Sequence, residues 1–151
     1  MLVAVLVVLL TACATKPDNK GYVVDTDPEM AAAIAKAQAT LPEFWQAFDN
    51  RARGESNFVL VVRITYKGRI EHFHTTEFER RDGKTMVTIG HQPKIVASVK
   101  LGDQLEIPAT DITDWSYMHD GKYVGMATIK PKFKLMPAAQ VEAFKQVMTD
   151  P

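Results

Sequence analysis

The chain has 151 residues, 46% hydrophobic and 24% charged, which suits one folded domain with its own core and excludes a disordered polymer. Its 18 Lys and Arg equal its 18 Asp and Glu. No cationic surplus is left to displace phosphate counterions, which excludes a nucleic-acid partner, and no polybasic stretch addresses anionic lipid. The lone cysteine rules out an internal disulfide.

Met1 to Leu10 is uninterrupted apolar sequence. A membrane span needs about 20 such residues, so the run is too short to cross and suits the h-region of a secretory signal. Leu10-Thr11-Ala12-Cys13 follows and resembles the cleavage box of bacterial lipoproteins. There, small residues fit the peptidase cleft and the cysteine thiol receives diacylglycerol. The resemblance implies a signal peptide over residues 1–12, Cys13 as the lipidated new amino terminus, with palmitate-type acylation, and the membrane as a partner through that anchor. Each buried methylene contributes about 0.8 kcal/mol, so two or three acyl chains hold a protein almost permanently. Ala14, where an aspartate favours inner-membrane retention, implies the periplasmic face of the outer membrane. No Lys or Arg precedes the apolar run, so the natural start is expected upstream of Met1.

Residues 13–26 are polar, with Pro17 and Gly21, and read as a tether; residues 27–151 read as one domain. Asp27 is a suitable N-cap, Pro28 suits the first helical position, and Met30, Ile34, Ala37 and Leu41 share one helical face. Pro42 is expected to interrupt, with Thr40 and Glu43 at capping-box spacing for a second short helix through Phe44, Trp45 and Phe48. From Asn57 the period becomes two: Phe58, Leu60, Val62, Ile64 and Tyr66 alternate with Val59, Val61, Arg63 and Thr65. Turns at Lys67-Gly68, Asp82-Gly83, Gly102-Asp103 and Asp120-Gly121 divide the rest into short strands. Pro137 to Met148 is an amphipathic helix with Val141, Phe144 and Met148 in one stripe. The expected class is α+β: N-terminal helices, an antiparallel β-meander with a small partial barrel as its curled form, and a C-terminal helix.

"DPEMAAAIAKAQATLPEFW", "IEHFHTTEFERRDGK" and "VKLGDQLEIPATDITDWSYMHDGKYVGMAT" occur in that order. Together they resemble the bacterial domain-of-unknown-function family 2314, the YegJ-like proteins, from about Asp27 to Lys134. Its most specific pieces here are Glu71-His72-Phe73, Gly102-Asp103, and Asp114-Trp115 with Asp120-Gly121-Lys122. The resemblance implies the fold and transfers no catalytic role. Where the family usually has an aromatic residue, commonly tryptophan, this chain has His74. A metal site common to the family would not tolerate that exchange.

On a strand His72 and His74 share a face, about 6.5–7 Å apart at Cα, a separation that can chelate one ion. A metal site would need His91 and His119 to converge on them, and no Cys pair, helical His pair or Asp cluster supports one, so no metal or cofactor is expected. Glu71 and Phe73 point to the other face, so Glu71 cannot orient His72 as a base. Ser56, Ser98 and Ser116 lack a nucleophile-elbow context, which leaves no catalytic residue to name. A possible binding surface comprises His72, His74, Trp115, Tyr117 and Tyr123, with Trp115 better suited to the core. The favoured function is a lipid-anchored envelope protein acting as a non-catalytic binding module for another envelope protein. The alternative is a metal-dependent or histidine-assisted enzyme on the His72/His74 strand.

Overall fold

Helix α1 (Pro28–Asp49) begins where expected: the Asp27 carboxylate accepts from the Glu29 and Met30 backbone N–H groups and Pro28 opens the first turn. The structure, a computed structural model, describes residues 25–51 and 54–151. The signal peptide, Cys13 and residues 14–24 of the tether lie outside the described residues.

The expected break at Pro42 does not occur, and one helix of 22 residues replaces the two predicted. Pro42 removes the donor that the Gln38 carbonyl would use, a loss of about 3 kcal/mol in a helix interior. Pro42 is on the exposed side, where water can take that carbonyl, and the helix beyond it buries Phe44 and Trp45. Each such side chain contributes about 1.5–3 kcal/mol, enough to offset the break. Thr40 accordingly serves no cap; its hydroxyl donates back to the Lys36 carbonyl at 2.9 Å.

Seven strands follow: β1 (Ser56–Tyr66), β2 (Arg69–Arg81), β3 (Lys84–Ile89), β4 (Gln104–Ile107), β5 (Ile112–His119), β6 (Lys122–Gly125) and β7 (Met148–Thr149). Their order in the sheet is β4-β3-β2-β1-β5-β6-β7, antiparallel except for the parallel β6–β7 pair. The first four strands form the predicted meander, but β5 returns to the far side of β1. The sheet ends at β4 and β7, so it is open and does not close into the partial barrel. A 3₁₀ segment (Ala127–Leu135) and helix α2 (Ala138–Val147) follow; of the predicted stripe, Val141 and Phe144 are half-buried on α2, while Met148, also half-buried, lies past its end and opens β7.

Strand β2 changes partners along its length. Arg69 to His74 pair with β1, whereas Thr75 to Arg81 pair with β3 across a bulge between Thr75 and Glu77. At the seam the Thr75 hydroxyl donates to the Leu60 carbonyl at 3.2 Å and accepts from the Leu60 N–H at 3.3 Å, in place of a ladder bond. Past that point the start of β1 and the end of β2 part.

Leu60, Val62, Phe73, Val87, Ile89, Ile112 and Trp115 point to one face, and α1 lays Ala37, Leu41, Phe44 and Trp45 against it. Phe44 is the hub, with ring centroids 5.1 Å from Trp45, 5.6 Å from Phe58 and 5.7 Å from Trp115. Edge and tilted aromatic pairs of this kind add about 0.5–1.5 kcal/mol each beyond area burial.

Candidate functional site

The strand period places Glu71, Phe73 and Thr75 on the core face and His72 and His74 on the opposite one. On that outer face the Asp25 carboxylate meets His72 Nε2 at 3.0 Å and Arg63 Nη1 at 3.4 Å, and Arg63 Nη2 meets Asp111 at 3.0 Å. The hydrogen bond from His72 holds the Asp25 carboxyl below its ordinary value, and Arg63 adds to this against the cost of burial. His74, Val61 and Asp114 form a row across β2, β1 and β5. Lost solvation, then the positive charge of His91 and Lys132, push the His74 imidazole below its ordinary value.

Two buried acids fasten loops. Glu71 turns its carboxylate to the loop after β3, where it accepts from the backbone N–H groups of Lys94 at 2.8 Å, Ile95 at 2.8 Å and Val96 at 3.0 Å. Burial raises the Glu71 pKa, but these three bonds outweigh it and leave the group below its ordinary value. Asp114 accepts from the N–H groups of Trp115, Ala127 and Thr128 and from the Thr128 hydroxyl. It thereby caps the 3₁₀ segment.

The four histidines do not converge. His91 stacks on Phe73 at 4.7 Å and lies 6.4 Å from His74, ring to ring. His119 follows Trp115 and Tyr117 along β5, so it points to the α1 side, opposite His72 and His74. Among the described residues no three His, Cys, Asp or Glu side chains are grouped to hold a metal ion.

The expected binding surface also divides. Trp115 leaves that surface for the core, the place its size favoured: it is 2% exposed, and its indole N–H donates to the Ala37 carbonyl at 2.9 Å. A residue so enclosed cannot touch a partner while the fold is intact. Tyr117 is half-buried on the same side, stacked between Phe58 and Trp115. Tyr123 is 37% exposed and opposes Met118, on the face of His72 and His74.

An open cleft of about 470 Å³ lies where β1 and β2 part, beside the C-terminal end of α1. Phe48, Arg51, Glu55, Phe58, Glu77 and Phe78 line it. The Arg51 guanidinium lies 3.9 Å from the centre of the Phe48 ring. Glu55 immediately precedes β1, and because Ser56 opposes Met118 it stands beside His119. Its side chain is 9% exposed, and its nearer oxygen is 3.8 Å from His119 Nδ1, too far for a hydrogen bond. Glu55 Oε2 and His119 Nδ1 are buried without a hydrogen-bond partner among the described residues. Sequence reading missed Glu55 because it falls in a loop; the available signal was its position one residue before a strand whose partner ends in histidine.

These features define a small α+β protein: an open, mostly antiparallel sheet clasped by one long helix, with loops fastened by buried acids. Residues 27–149 match the family model described as "Uncharacterized protein conserved in bacteria (DUF2314)", and the chain belongs to that family. It is similar to "Uncharacterized protein YegJ" of Escherichia coli (strain K12), 28% identical over 116 residues that cover 77% of this chain and 74% of that protein. No solved structure matches the chain.

Proposed function

We propose that this protein is a lipid-anchored module of the bacterial envelope that acts by binding another envelope protein. The observation that carries the binding reading is how its polar side chains are used. Glu71, Asp114 and the Asp25–Arg63–Asp111 cluster hold loops and strands in place, while the cleft beside α1 keeps aromatic walls and a carboxylate oxygen that has no hydrogen-bond partner among the described residues. Groups committed to architecture position a surface; the open cleft is where a partner gains contact.

The anchor rests on Leu10-Thr11-Ala12-Cys13, and Ala14 favours the periplasmic face of the outer membrane. Between Cys13 and Asp25 the chain can reach at most about 40 Å, so the partner must lie close to the membrane surface. Metabolic labelling with palmitate tests the anchor. Label in the wild type that disappears in Cys13→Ala supports it; unlabelled wild-type protein in the soluble periplasmic fraction refutes it.

A further inference from the structure

We propose that the cleft between β1 and β2 receives the cationic end of a ligand, an ammonium or guanidinium group on an apolar stem, supplied by a Lys or Arg side chain of the partner. The inference rests on the binding-module reading and names the chemistry of its contact.

The first observation is the Glu55 carboxylate. A carboxylate buried beside a cleft needs donors, since leaving it unpaired is among the costlier arrangements in a folded chain. Its nearest titratable neighbour, His119, stands 3.8 Å away and makes no hydrogen bond to it. Arg51 lines the same cleft but spends its Nε on the Phe48 carbonyl and lays its guanidinium on the Phe48 ring. Among the described residues it forms no ion pair with Glu55.

The second observation is the wall. Phe48, Phe58 and Phe78 line the cleft, with Phe48 5.3 Å from Phe58 and 4.9 Å from Phe78 between ring centres. Such faces attract a cation and bury a methylene stem. Arg51 on Phe48 shows that these rings already accept one.

The third is charge. Glu55 and Glu77 oppose the single cation Arg51 among the described lining residues, so the balance favours a positive ligand over an anion. Tyr117, stacked on Phe58, feels the same field: burial first, then the negative charges of Glu55 and Glu43, raise its phenol above its ordinary value.

The test titrates the purified full chain, observed by NMR, with N-acetyl-lysine amide, N-acetyl-arginine amide, phenethylamine, and the uncharged N-acetyl-norleucine amide. Phenylacetate supplies the anion. The lysine or arginine probe is expected to shift Phe58, Tyr117 and His119 signals and to bind at least about tenfold more tightly than the norleucine probe. Glu55→Gln is expected to abolish that preference while raising Tm, because it removes a buried charge with no partner among the described residues and keeps the shape. Gln140→Ala, on the exposed side of α2 away from the cleft, should change neither. A lower Tm for Glu55→Gln with unchanged binding would show Glu55 to be structural and would overturn the inference. Equal binding of charged and uncharged probes, preference for phenylacetate, or no binding by any probe would also overturn it. Binding by phenethylamine alone would contradict the side-chain source and point to a free amine. If no probe binds while a partner is captured in cells, the cleft inference fails and the binding-module reading stands.

Discussion

The indole N–H of Trp115 donates to the Ala37 carbonyl at 2.9 Å, joining the middle of β5 to the middle of α1 across 78 residues of sequence. It is a buried bond in the core between helix and sheet, so its loss should be felt globally. Trp115→Phe is expected to remove the bond and leave a partial cavity, lowering stability by about 2–3 kcal/mol. The check is a denaturant titration in which the midpoint falls and the slope is retained.

Glu71 makes a second long-range tie, and its effect carries a sign in pH. Its folded pKa lies below the ordinary 4.5, so its contribution is present above that value and is lost as pH falls through the folded pKa. Glu71→Gln places an amide N–H₂ among three backbone donors that need an acceptor. The expected loss is about 2–3 kcal/mol at neutral pH, with a shallower decline of stability in acid. Urea unfolding of both proteins from pH 3 to 7 checks it.

His74 acts in a different window. Its folded pKa lies below the ordinary 6.5, so the fold disfavours the imidazolium. Stability is full above pH 6.5 and falls on acidification toward the folded pKa. His74→Trp, which has no group that titrates in this range, should remove that fall. Thermal melts between pH 5 and 7.5 are expected to converge at high pH and diverge at low pH.

Much of the architecture was legible because it rests on local pattern. The alternation from Phe58 to Tyr66, the Gly-containing turns and the Asp27-Pro28 start each follow from one short segment. Pro42 misled because its penalty is local, whereas the burial of Phe44 and Trp45 that outweighs it depends on the distant Trp115 and Phe78. The shared face of His72 and His74 was readable, but Asp25, the partner of His72, sits in what read as tether. The cleft was unreadable for a related reason: Glu55 gains meaning only once β1 is registered against β5 and β2 has left β1 for β3.

Gly125 offers a test of the tight turn that follows β6. Its φ is +94°, and a Cβ there would collide with the Trp115 carbonyl oxygen and lie 2.7 Å from the indole ring. Gly83, at φ +76°, meets nothing within 4 Å. Gly83→Ala should therefore cost only the backbone strain, about 1–2 kcal/mol. Gly125→Ala should cost clearly more, because Trp115 is held by Ala37 and cannot retreat. Comparing the two Tm values decides this.

Photo-crosslinking in intact cells tests the central claim most directly. A photoreactive residue replaces Asn57 at the cleft rim in the lipidated protein, in Cys13→Ala, and in Glu55→Gln. The account predicts one reproducible envelope partner for the lipidated protein, lost in Cys13→Ala and strongly reduced in Glu55→Gln. Failure to capture a reproducible partner from the cleft, or capture of the same partner equally well without the anchor, would contradict the reading of this protein as an envelope-tethered binding module.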